Sequence, residues 1–281
     1  MNKIAIVTDS TSDIPKELVN RYNIRVIPLT ITYKDKTYYD GVDLKIDDLL
    51  RMLDEGEELP KTSQVNPARF YEEYKRLFDE GYNKIISIHL SSNLSGTYQS
   101  AIIAKNMLET DDIYVVDSRT VSFGTGMLAL KAAKMIEEGK DVEEIYNTLN
   151  ILAPKSRVAY ALDKLEYLKK GGRLSGTQAT IGTLLNIKPI IYITDGNHAI
   201  LDKTRGMKKA LSRMIKYVQD EGFDENELFA IGTVKDYENL EEFKEMVKNE
   251  LGVDNYLLAE VGTVVATYSG PGVVGIWFYA K

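Results

Sequence analysis

One transition recurs along the first half of the chain and limits the folds open to it. A short run of β-branched and other apolar residues stops at Ser, Thr or Asp, and a helix-like stretch follows. KIAIVT (Lys3 to Thr8) runs into the polar TDSTSD, and Pro15 then opens a segment with helical spacing. IRVIPLTI (Ile24 to Ile31) reads as a second strand, and KIISIHL (Lys84 to Leu90) and DIYVVD (Asp112 to Asp117) as two more. Asn66 and Pro67 stand as N-cap and first helical residue before ARFYEEYKRLFDE, which Gly81 stops. Continuous apolar runs alternating with helices point to a parallel sheet covered on both faces. The fold class is α/β, and residues 1–153 read as a doubly wound domain.

The pattern changes at Ala153 and Pro154. RVAYAL, IKPIIYIT, AILDKT, LFAIGTV, NYLLAEVG and VVGIWFYA (starting at Arg157, Ile187, Ala199, Leu228, Asn255 and Val273) are strand candidates, and DGNH between the second and third is a hairpin turn. Only two helices, about Met207 to Asp220 and Tyr237 to Leu251, separate the later strands. Residues 154–281 are therefore expected to form an α+β domain with a mixed or antiparallel sheet and helices on one face. At about 150 residues per domain, a length of 281 residues fits two domains or one large α/β domain.

Composition removes much chemistry. The chain has no cysteine and only two histidines, His89 and His198, so thiol nucleophiles, disulfides and thiolate metal sites are absent. With 35 Lys+Arg against 42 Asp+Glu the formal charge is −7, the wrong sign for a dedicated nucleic-acid binder. No apolar run approaches the roughly 18 residues that span a bilayer, and MNKIAIVTDS has too short an apolar core for a signal peptide. A cytoplasmic protein without stable membrane insertion is expected.

Three apolar runs end in hydroxyl-bearing loops: TDSTSD (Thr8 to Asp13), SSNLSGT (Ser91 to Thr97) and DSRTVS (Asp117 to Ser122), with Thr62 and Ser63 as a fourth pair. Such residues cap helices and form turns wherever strands meet helices. In a parallel sheet, however, the carboxyl ends of the strands share one edge, where ligands bind. Together the hydroxyls suit an anionic group, a carboxylate or phosphate. A serine nucleophile needs a histidine in reach, and His89 inside a strand and His198 in a hairpin turn read as structural. Strand-end Asp9, Asp117 and Asp163 offer an alternative, a magnesium-dependent phosphotransferase or hydrolase using a loop serine. Gly124, Gly126 and Ala129 match GxGxxA, and Gly270, Gly272 and Gly275 match GxGxxG, but neither set lies in a tight strand-to-helix turn, so turn or packing roles are expected. LDKLEYLKKGGRLSGT (Leu162 to Thr177) is dense in charge and glycine, and Lys203 and Arg205 form an exposed basic turn or a docking point.

Several motifs together resemble one family, the DegV proteins, which include the fatty-acid-binding subunits of bacterial fatty acid kinase. They are TDSTSDIP, YDGVDL (Tyr39 to Leu44), KTSQ (Lys61 to Gln64), SSNLSGTYQSA, VVDSRTVSFGTG, LEYLKKGGRLSG, KPI (Lys188 to Ile190) and SGPGVVGI (Ser269 to Ile276), in the family's order from Thr8 to Ile276. The resemblance implies a long-chain fatty acid lying in an apolar tunnel between or below the two domains, and no cofactor. Its carboxylate would be held by Thr62 and a serine of SSNLSG, with Ser92 favoured over Ser91 and Ser95. Arg173, Ser63 and Gly270 would form the loop at the site, and Arg205 and Lys203 would face the fatty acid kinase catalytic subunit. The chain departs from the family where ATYSGPG puts Tyr268 in place of a histidine near the carboxylate, and where KTSQVNP replaces KTSQPS. Tyrosine donates a hydrogen bond but stays neutral at pH 7. The implied function is a non-enzymatic carrier that presents its ligand for phosphorylation to an acyl phosphate. Against it stand the magnesium enzyme and a lipid-sensing module that needs no kinase.

Overall fold

The computed structural model describes residues 3–55, 58–174 and 187–281. Residues 175–177 of the glycine-rich segment therefore lie outside the described residues. β1 (Ile4–Asp9) leads through a 3-10 turn into α1 (Lys16–Arg21) and β2 (Arg25–Ile27). β3 (Thr30–Tyr33) and β4 (Lys36–Tyr39) form a hairpin, followed by α2 (Ile46–Glu55) and β5 (Lys61–Ser63). α3 (Pro67–Asp79), β6 (Lys84–His89), α4 (Thr97–Met107), β7 (Ile113–Asp117), α5 (Phe123–Glu137) and α6 (Val142–Leu152) complete the first half. Asn66 caps α3 as expected, its side chain accepting from the Arg69 amide at 3.1 Å.

The strands β2, β1, β6 and β7 form a parallel sheet in that order. Apart from their first residues β1 and β6 are buried throughout, which is why their apolar runs are unbroken. The chain leaves β1 toward β2 on one side and later fills the other side with β6 and β7. The carboxyl ends of β1 and β6 thus flank the point where the winding reverses, the crevice where open α/β sheets bind ligands.

The segment IRVIPLTI departs from expectation. Pro28 has no N–H for a ladder, and it divides the run into β2 and β3, which belong to different sheets. β3 sits between β4 and β5 in a three-stranded antiparallel sheet, where Ile31 pairs with Thr62.

After a 3-10 turn at Ala153–Lys155 come β8 (Ser156–Ala161), α7 (Glu166–Lys170), the hairpin of β9 (Ile187–Thr194) and β10 (Asn197–Arg205), α8 (Met207–Glu221), β11 (Ala230–Val234) and α9 (Tyr237–Leu251). β12 (Leu257–Glu260), α10 (Thr263–Ser269) and β13 (Val273–Tyr279) end the chain. The six strands form a mixed sheet, β10-β9-β8-β13-β11-β12, with β11 and β12 its parallel pair. The four-stranded sheet lies wholly before the 153–155 turn and the six-stranded sheet wholly after it.

This second sheet separates two apolar cores by strand alternation. Ala159, Ala161, Val274, Ile276 and Phe278 face α8 and α9. Their neighbours Val158, Tyr160, Val273, Trp277 and Tyr279 join the larger core shared with the first half. α10 departs from the expectation of strand-rich sequence here. TVVATYS is rich in β-branched residues, which disfavour helix, and its tertiary contacts override that preference.

Because Ile276 is fully buried on the α8 and α9 side, Ile276→Ala is expected to lower unfolding stability by about 2–5 kcal/mol in urea titrations without changing what the opposite face binds.

Candidate functional site

The ends of β1 and β6 open onto a cavity of about 320 Å³, within the size range of small-molecule sites. Thr11, Leu90 and Leu94 line it from the parallel-sheet side, and Val158, Tyr160 and Trp277 from the second sheet. Its walls are mostly aliphatic and aromatic. Polar groups gather where β5, the start of α4 and the end of α10 meet: Thr62, Ser63, Gln64, Ser95, Arg173 and Tyr268.

Thr62 Oγ1 and Tyr268 Oη share a hydrogen bond of 2.5 Å. The Arg173 guanidinium lies 4.6 Å from the centroid of the Tyr268 ring, while its Nη1 donates to the Gly171 carbonyl at 2.7 Å. Arg173 is the one Lys or Arg among the described lining residues. His198 stands in the cavity wall at the start of β10 rather than in the turn, and its Nδ1 donates to the Arg173 carbonyl at 3.0 Å. Burial holds its pKa down at about 4, so the ring is neutral at pH 7. Tyr160 packs edge-on against it, its own pKa raised by burial.

The serines of SSNLSG do three different things. Ser95 lines the cavity, its hydroxyl sharing a 3.0 Å hydrogen bond with Thr97. The favoured Ser92 does not line it: its hydroxyl donates to Asp117 Oδ2 at 2.6 Å on the exposed side of the loop. Ser91 donates to the carbonyl of Gly196 at 2.7 Å, and Asn93 Nδ2 to that of Asp195 at 2.8 Å, so this loop grips the β9–β10 turn. Turn geometry directs each side chain separately, and of the three serines Ser95 is the one that lines the cavity. Gly270 is also outside the lining: it has φ +73° at the end of α10, and a Cβ there would strike the Tyr167 ring. Lys203 and Arg205 are exposed on β10, away from the cavity.

The aspartates of the magnesium alternative are dispersed among separate partners. Asp9 is fully buried, bonded to the Thr11 hydroxyl at 2.5 Å and to His89 Nδ1 at 2.9 Å. His89 Nε2 in turn meets Ser87 Oγ at 2.7 Å, and Ser87 meets the Tyr74 hydroxyl at 2.7 Å. This Ser–His–Asp line has the partners of a triad but no solvent access, and it knits the core. Asp117 holds Ser92 and the Arg119 amide, and Asp163 pairs with Lys188. Among the described residues no three His, Asp or Glu converge on a common point. The GxGxxA glycines lie inside α5, and a Cβ at Gly126 would press on the Ser12 carbonyl, so they serve packing.

Two aspartates whose motifs were recognised without a role prove central to the site's construction. Asp13 Oδ1 accepts from the Gly262 amide at 3.0 Å, and its Oδ2 from the Ser122 hydroxyl at 2.5 Å. Asp40 Oδ1 accepts from the Thr263 amide at 3.1 Å and the Thr263 hydroxyl at 2.5 Å. Gly262 and Thr263 begin α10, the helix that ends in Tyr268 and Ser269. Burial raises the pKa of both carboxyls, and the neighbouring Asp40 raises Asp13 further.

The family model described as "Uncharacterised protein, DegV family" matches residues 3–281. A DegV domain-containing protein of Caldanaerobacter subterraneus is 43% identical over the full length of both chains. The solved structure of a fatty-acid-binding DegV family protein from Thermus thermophilus is 33% identical and superposes with a TM-score of 0.92 over 99% of this chain and 100% of that one. A stearic-acid-binding protein from Eubacterium ventriosum, 27% identical, superposes at 0.88 over 100% and 99%.

The depressed His198 pKa gives a signed expectation. The neutral ring favours folding above pH 6.5, and that contribution is lost as pH falls from 6.5 toward 4. His198→Gln retains an N–H for the Arg173 carbonyl and does not titrate. Between pH 7 and pH 4 the wild type is expected to lose about 3 kcal/mol more stability than this variant in urea titrations.

Proposed function

The chain belongs to the DegV family, and we propose that it binds a long-chain fatty acid, with its tail in the cavity and its carboxylate at the Thr62 and Tyr268 end. One observation carries this reading: a mostly apolar lining in which the hydroxyls of Thr62 and Tyr268 meet beside Arg173, the one guanidinium among the described lining residues. Each buried methylene contributes about 0.8 kcal/mol, so the tail supplies affinity and the head group needs mainly orientation. Thr62, Tyr268 and Ser95 are the donors, and Arg173, stacked on the Tyr268 ring, supplies the nearby positive charge. Tyrosine at 268 serves as a neutral donor at the position where the family resemblance implies a histidine. The fatty acids named for the Thermus and Eubacterium proteins support this class of ligand.

The chain acts, in this reading, as a carrier rather than an enzyme. Ser63 and Gln64 at the polar end are exposed, so the carboxylate lies within reach of a second protein. A separate kinase subunit would convert it to an acyl phosphate, docking on the exposed Lys203 and Arg205 of β10.

Native mass spectrometry of the purified chain with added hexadecanoate tests the ligand class, the expected result being one bound fatty acid; no bound or bindable lipid would sink it. Thr62→Ala and Tyr268→Phe are each expected to weaken binding about tenfold or more, the cost of a hydrogen bond to a charged group. Arg205→Glu is expected to retain lipid and lose phosphorylation by the kinase subunit. Retained phosphorylation would favour docking elsewhere.

A further inference from the structure

α10 cannot hold its place by itself. It has seven residues, and isolated helices shorter than about 12–15 residues are marginal in water. Four of the seven are Val or Thr, and its N-cap is Gly262, which has no side chain to satisfy the free amides of the first turn. The first half of the molecule satisfies them instead. Asp13, from the loop after β1, takes the Gly262 amide, and Asp40, from the loop after β4, takes the amide and hydroxyl of Thr263. Gly262 is required for that approach, since a Cβ there would lie 2.6 Å from Asp13 Oδ1. Asp13 is itself held by the hydroxyl of Ser122, a cavity-lining residue.

The other end of the same helix forms the polar end of the cavity. Tyr268 lies five residues beyond Thr263, about 7.5 Å along a rigid axis, and bonds Thr62. A displacement at the amino end therefore reappears at the tyrosine hydroxyl.

We propose that Asp13 and Asp40 are positioning residues for head-group recognition: by fixing the amino end of α10 they set where Tyr268 meets the ligand's carboxylate. This rests on the fatty-acid reading above. The aspartates touch no ligand, and they act through the helix. General cohesion between the two halves, the bland role, predicts a uniform loss of binding. Positioning predicts a loss confined to ligands with a charged head.

The test is equilibrium dialysis of the full chain with radiolabelled hexadecanoate and, separately, methyl hexadecanoate, which has the same tail and no charge. Asp13→Ala and Asp40→Ala are expected to weaken hexadecanoate about tenfold and leave the methyl ester within about twofold. Asp13→Asn and Asp40→Asn retain an acceptor oxygen for the α10 amides and are expected to restore acid binding to near wild type. Thr263→Val removes one donor to Asp40 and is expected to weaken the acid alone. It decides the matter should an alanine variant fail to fold. Equal losses for acid and ester, or unchanged acid binding in folded alanine variants, would overturn the proposal. A wild-type chain that binds neither ligand would overturn the fatty-acid reading itself.

Discussion

The polar end of the cavity hangs on two carboxyl groups, Asp40 buried and Asp13 partly so. Burying Asp13 and Asp40 close together is unfavourable, as their raised pKa values record. The amides at the start of α10 and the hydroxyls of Ser122 and Thr263 offset that cost. The exchange is mutual: the aspartates gain donors where little water reaches them, and a helix of poor intrinsic propensity gains the caps it lacks. Apolar packing would allow α10 to slide or rotate. These directional bonds do not, and the alignment of Tyr268 with Thr62 follows from them.

A second grip works from the opposite side. Ser91 and Asn93 hold the carbonyls of the β9–β10 turn, and β10 carries His198, which holds the carbonyl of Arg173. The arginine over the tyrosine ring is thus placed by a chain of backbone contacts that begins in the SSNLSG loop. Both attachments converge on Tyr268 and Arg173, so the halves of the molecule are joined by groups that also shape the site.

Legibility in the sequence follows the physics of each feature. Most strands of the four- and six-stranded sheets are readable because buried strands need unbroken or alternating apolar residues, and β9, β13 and the hairpin turn lie close to where the pattern puts them, whereas the small β4-β3-β5 sheet carries no such signal. Pro28 was visible, but its consequence, a switch between sheets, depends on where β5 sits, which is a long-range matter. α10 was hidden because TVVATYS carries a strand-like composition and becomes helical only through Asp13 and Asp40. The hydroxyl loops were legible as a class. Which serine faces the cavity was not, because a side chain in a turn points where local dihedrals send it and no periodicity encodes that. His198, expected in the hairpin turn, is instead the second residue of β10, and the alternation of the strand turns its ring into the wall.

The six-stranded sheet has a consequence for how such a protein can diversify. Odd and even positions of β13 belong to different cores, with Trp277 on the cavity side and Ile276 and Phe278 beneath α8 and α9. Selection can therefore reshape the cavity by exchanging side chains on one face while the foundation on the other stays as it is. Gly275 illustrates the arrangement: a Cβ there would lie 2.8 Å from the Trp277 indole, so the empty place at 275 lets the ring lie flat along the wall. The shape of the cavity and the strength of the scaffold are, in this fold, separately heritable traits.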